Sequence, residues 1–137
     1  MIILKEYPQN YELIKAKFKL KEGVVFTFGE IIYNPSGNVI SYPLYKHEEN
    51  HSKQQGDNPN KWWNRYLQDD SFRLSQEIPS YQIQYKEYKK VVKDRNKLYI
   101  ILRKLAEDLS GDLYGNLLSF DEAIKAIKNE KLYEFRV

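Results

Sequence analysis

A chain of 137 residues has the length of one domain, and a domain of that size buries about two thirds of the surface its unfolded chain exposes, enough for a core without covalent staples. It contains no cysteine, which excludes disulfides, iron–sulfur clusters and thiolate zinc sites, so any metal must sit on nitrogen and oxygen. The net charge of +3 arises from 22 basic and 19 acidic residues that are interspersed, a mixed surface that gives no specific nucleic-acid partner.

The opening residues MIILKEYPQN turn polar too soon for a signal peptide, and no stretch approaches the ~18 apolar residues that span a bilayer, so a cytoplasmic protein without a membrane partner is expected. LIKAKFKLK then alternates, with Ile14, Ala16, Phe18 and Leu20 on one face and Lys15, Lys17, Lys19 and Lys21 on the other. That pattern predicts a half-buried strand whose lysines discourage edge pairing, with a nucleic-acid patch as the other use of such a row. A turn at Glu22 and Gly23 leads into VVFTFG as the returning strand of a hairpin, and EIIYN extends the sheet up to the NPSGN turn, which is too poor in glycine to cradle a phosphate.

Beyond Ile40 the pattern is helical. Ser41 is placed to cap a helix with Pro43 in its first turn, running to Gln55 and stopped by Gly56. A short helix over NKWWNRYLQ follows, then a long one over residues 71–92, interrupted or kinked near Pro79, and another ending at Gly111. Ser119 with Glu122 three residues on forms a capping box for a further helix, and LYEFRV is expected to return as a last strand. No repeat or linker divides the chain, so residues 1–137 read as a single domain with an α+β fold, a small antiparallel sheet packed on helices.

The chemistry concentrates in HEENH. His47 and His51 are four residues apart on the expected helix, so both imidazoles can reach one tetrahedral ion. Glu48 points about 100° around the helix from His47, beside the pair, where a carboxylate can act as general base for a metal-activated water. Glu49 points away to solvent, and Gln54 continues the histidine stripe, where it is either a hydrogen-bond partner of a ligand or an ordinary polar residue. With no third histidine, a third protein ligand must be a carboxylate. Leu74, Tyr81, Tyr85 and Tyr88 recur at helical spacing, and Glu77 falls on that stripe, facing the core, where an unpaired carboxylate is costly. Glu87, Asp94 and Glu107 lie among basic residues, and Asp57 and Asp70 fall at turns, where aspartate usually caps. Trp62 and Trp63 read as core or as a groove lining, and Tyr114 in GDLYGN as a packed turn residue or as an oxyanion donor. The KEYKKVVKDRNK run reads as the wet face of its helices.

HEENH followed, after a short helix, by QEIPSY resembles the gluzincin arrangement of zinc metallopeptidases, and the size and element order are similar to minimal gluzincins and small bacterial and phage HExxH proteins. The absence of a methionine turn, Met1 being the only methionine, sets the metzincin pattern aside. The resemblance implies a zincin-like domain, Zn2+ as cofactor, His47, His51 and Glu77 as ligands, and Glu48 as catalytic base. EIPSY lacks the acidic residue that larger gluzincins place after the glutamate to orient a histidine. The expected function is zinc-dependent hydrolysis of peptide bonds in a peptide or protein substrate, with Tyr114 as a second catalytic candidate. The alternative is a non-catalytic interaction or virion-type structural domain with a vestigial metal site.

Overall fold

Three short strands and six α-helices organise residues 1–134, the part of the chain that the computed structural model describes. The strands are β1 (Ile2–Leu4), β2 (Phe26–Phe28) and β3 (Ile31–Tyr33), in the order β1-β3-β2. β3 pairs antiparallel with β2, Phe26 opposite Tyr33, and parallel with β1, Ile2 opposite Ile31. The sheet is therefore mixed and not antiparallel throughout, because the N-terminal segment, for which no strand was expected, joins its edge. The hairpin connects β2 to β3, where Gly29 at φ 63° takes a conformation that side chains rarely adopt and reverses the chain within two residues.

The expected first strand is a helix, α1 (Tyr11–Lys17). Its alternation held two signals at once. Ile14 and Phe18 are buried, whereas Ala16, which a strand would have turned inward, is exposed. The two buried residues are four apart, the helical interval, with Tyr11 and Leu20 partly buried against the same core. Phe18 meets Tyr66 edge-on at 6.1 Å and lies 4.8 Å beneath the Arg73 guanidinium, so tertiary contacts decided between the two periods.

The remaining helices follow their caps. In α2 (Tyr42–Gln55) the Ser41 hydroxyl accepts from Leu44 N, Pro43 occupies the first turn, and Gly56 at φ 58° ends the helix. α3 (Pro59–Gln68) is capped by Asn58, and α4 (Asp70–Val91) by Asp69. α4 passes through buried Pro79 without the expected interruption; Ser80 Oγ donates to the Gln76 carbonyl one turn back, and α2 packs along it. α5 (Arg95–Ser110) leads through a 3-10 turn at Asp112–Tyr114 to α6 (Phe120–Lys128), whose capping box is formed in both directions. Residues 132–134 have no regular structure, and the rest of the expected closing strand lies outside the described residues. No helix among the described residues is long and apolar enough to cross a membrane.

Trp62, Trp63, Tyr66, Phe72 and Tyr81 form one aromatic core with Leu102, Leu105 and Leu109 of α5. α2 lies between β2 and α4, and this sandwich sets the polar residues of α2 against both neighbours.

Candidate metal centre

Three α2 side chains turn inward at positions 47, 48 and 51, into a region where α2, α4 and β2 meet. Glu77 of α4 faces them. His47 Nε2 and His51 Nε2 are 3.1 Å apart, and each lies 3.2 Å from Glu77 Oε1. Zinc bonded at about 2.0–2.1 Å in a tetrahedron spaces its ligand atoms by roughly 3.3 Å, so this triangle has the dimensions of one tetrahedral face. All three residues are buried. The chain thus carries a two-histidine, one-glutamate group that can hold a metal ion, on the HExxH pattern. Asp57 and Asp70 do not contribute: Asp57 is exposed, and Asp70 bonds Arg73 Nη1.

The outward nitrogens of both rings are held by amide oxygens. His47 Nδ1 lies 2.9 Å from Gln84 Oε1, and His51 Nδ1 lies 2.8 Å from Gln54 Oε1. A carboxamide oxygen only accepts, so each Nδ1 carries a proton, which leaves each Nε2 lone pair available to a metal in the triangle. Two glutamines, and no acid, therefore orient the rings. Gln54 is fixed in turn, its Nε2 donating to the Gln76 carbonyl at 2.9 Å, and Gln76 Oε1 accepts from Trp62 Nε1 at 2.8 Å. The Trp62 ring sits 5.4 Å from His51. Both tryptophans belong to the core and also line the recess behind the triangle.

Each carboxylate has a hydroxyl partner. Tyr66 OH donates to Glu77 Oε2 at 2.6 Å, leaving Oε1 for the triangle. Thr27 Oγ1 of β2 donates to Glu48 Oε1 at 3.0 Å, and Glu48 Oε2 stands 3.5 Å from His47 Nε2. Thr27 is pinned through its carbonyl, which accepts from Gln55 Nε2 and Trp63 Nε1, while Gln55 Oε1 accepts from Gly29 N. Strand β2 is thus stitched to the metal-site helix. Glu49, by contrast, pairs with Lys46 and Lys53 on the outer face.

Without a metal the groups share protons. Burial disfavours the His51 imidazolium, but the charge of Glu77 and its hydrogen bond outweigh that and raise the group to about 9. Glu77 moves the opposite way: burial pushes it up, and His51 and the hydrogen bonds from both imidazoles bring it well below the carboxylate range. Glu48 is raised, chiefly by burial, with the histidines and Thr27 opposing. Burial and the charge of Glu77 keep the Tyr66, Tyr81 and Tyr114 phenols protonated.

Tyr114 lies beside the centre but one residue removed. Its OH is 2.7 Å from Tyr81 OH, and the Tyr81 ring stands edge-on to His47 at 4.6 Å. Both phenols, with His47, Glu48 and Gln84, line a groove of about 660 Å³ bounded by residues 23–25 and by α5. His51 and Glu77 face the smaller recess of about 60 Å³ under Trp62 and Trp63, which His47, Glu48 and Tyr114 line as well.

Thr27, Tyr66, Tyr81 and Gln84 were not singled out as site residues in the sequence. Tyr81 and Gln84 had a signal, since they follow Glu77 by four and seven residues along one helical face. Thr27 and Tyr66 had none, because nothing local ties them to α2 or α4. Compared with known proteins, the chain matches no protein-family model, no curated protein and no solved structure.

Proposed function

We propose that this protein is a zinc-dependent peptidase, with His47, His51 and Glu77 as ligands and Glu48 as general base. The observation that carries the reading is the convergence of a tetrahedral-sized ligand triangle with a second carboxylate, Glu48, anchored separately by Thr27. Bound zinc would supply Lewis-acid polarisation of a peptide carbonyl and lower the pKa of water to about 7. Glu48 takes the proton of the attacking water and returns it to the leaving amine. Thr27 holds its other oxygen, so the carboxylate keeps its direction while its charge changes.

The tyrosine pair supplies a donor. One phenolic proton is used in the Tyr81–Tyr114 bond, which leaves the other O–H to turn toward the oxyanion that develops as water adds. Tyr114 acts in this reading together with Tyr81. Tyr66 acts through Glu77, whose carboxylate it holds in a single orientation.

Purified protein should carry about one zinc per chain. It should also cleave members of a random peptide library, with cleavage abolished by a chelator. Stoichiometric zinc with no cleavage of any peptide would favour a non-catalytic metal domain, and failure to take up zinc on reconstitution would overturn the metal assignment.

A further inference from the structure

The two glutamines that orient the histidines differ in what their amide nitrogens do. Gln54 is spent at both ends, Oε1 on His51 and Nε2 on the Gln76 carbonyl. Gln84 uses Oε1 on His47, and among the described residues its Nε2 has no acceptor, although the residue is only 6% exposed. The amide cannot be turned over to satisfy that nitrogen. Oε1 must accept from His47 Nδ1 if His47 Nε2 is to offer its lone pair to a metal held with Glu77. Two N–H donors are therefore left without a protein acceptor, and because Nε2 is not sealed from solvent they face the groove that the side chain lines beside His47, Glu48 and Tyr81.

We infer that Gln84 anchors the substrate, its Nε2 donating to a backbone carbonyl of a peptide lying extended in the groove. This rests on the peptidase reading above and adds to it the residue that fixes the peptide's position. A carbonyl is the matching group, because the donor is neutral and the groove offers apolar walls such as Val24, Val25, Ile101 and Leu105 around it. Recognition at this point reads the main chain and is indifferent to side-chain identity. One side chain thus couples the orientation of a ligand to the seating of the substrate.

The test uses Glu48→Gln protein loaded with zinc, so that a bound peptide stays intact. Its probe is the library peptide that the wild type cuts best. Gln84→Glu keeps an acceptor for His47 Nδ1 and removes both N–H donors. Expected are zinc affinity, measured by chelator competition, equal to or above that of the parent, and peptide affinity lower by roughly three- to tenfold, the range of a neutral hydrogen bond. In the cleaving enzyme the same substitution raises KM more than it lowers kcat. Gln84→Met, which removes both ends, should lower zinc affinity as well. Gln54→Glu is the comparison and should leave peptide affinity unchanged. Wild-type peptide affinity in Gln84→Glu overturns the inference while leaving the peptidase reading in place, as does an equal loss in Gln54→Glu. A wild type that neither binds nor cuts any peptide overturns both.

Discussion

The two histidines sit one helical turn apart and make the same contact with Glu77, yet their surroundings differ. Behind His51 the polar groups are used up: Trp62 lies against the ring, and a chain of amides runs from Gln54 to Gln76 to the Trp62 indole. On the His47 side, Glu48, Gln84 and the Tyr81–Tyr114 pair face the larger groove, which His51 does not line. A single HExxH turn thus has a structural side, which fixes the geometry, and a working side, where polar groups keep unused capacity. The sequence motif treats its two histidines alike; the difference comes from α3 and α4.

Replacing Glu77 strikes both sides and should have the largest effect. Glu77→Ala leaves two imidazoles to hold the ion, and zinc should be lost on dialysis against a weak chelator that leaves the wild type loaded. Retention of zinc by Glu77→Ala would mean that another group completes the site. Next comes Glu48→Gln, confined to the working side: zinc content near normal and turnover down by ~10²–10⁴-fold in a peptide assay. Substitution on the structural side should do the reverse. Gln54→Leu removes the acceptor for His51 Nδ1 and should weaken zinc binding by about 10–100-fold, while KM of the reloaded enzyme is unchanged. A raised KM there would abolish the distinction between the two sides.

A smaller effect concerns the metal-free protein. His51 holds its proton more tightly folded, at about 9 against 6.5. Its contribution to stability is therefore complete below pH 6.5 and lost as pH rises through 9. Glu77 is depressed, so its contribution is present above its ordinary value of 4.5 and lost as pH falls below it. Thermal unfolding of chelator-treated protein should show Tm greatest between these limits and declining from pH 6.5 to 9; a Tm that rises over that interval would contradict the His51–Glu77 pairing.

How much of this could be read from the chain alone followed the range of the signals. α2 and its ends are governed by Ser41, Pro43 and Gly56, all within a turn of the boundaries they set, and the HExxH spacing is local to one helix. Glu77 was legible because a lone carboxylate on an apolar stripe needs a reason to be there. The segment around Ile14 was not, since alternation and a four-residue interval coincide there and only Phe18 meeting Tyr66 and Arg73 separates them. The partners Thr27 and Tyr66 come from elements whose approach to the site depends on the whole fold. Gln84 was within reach, but a glutamine on a helical stripe carries no chemical signature until the ring it touches is known.

That both ring partners are amides has an electrostatic consequence. Gln54 and Gln84 contribute no formal charge, so a divalent cation in the triangle would be balanced by Glu77 and Glu48 alone, leaving a buried cluster that is neutral overall. Burying an electroneutral group costs far less than burying a net ion. The balance also depends on Glu48. A proton that Glu48 takes from the attacking water leaves the negative charge on the hydroxide beside it, so the transfer moves charge within a neutral group and creates no buried net ion.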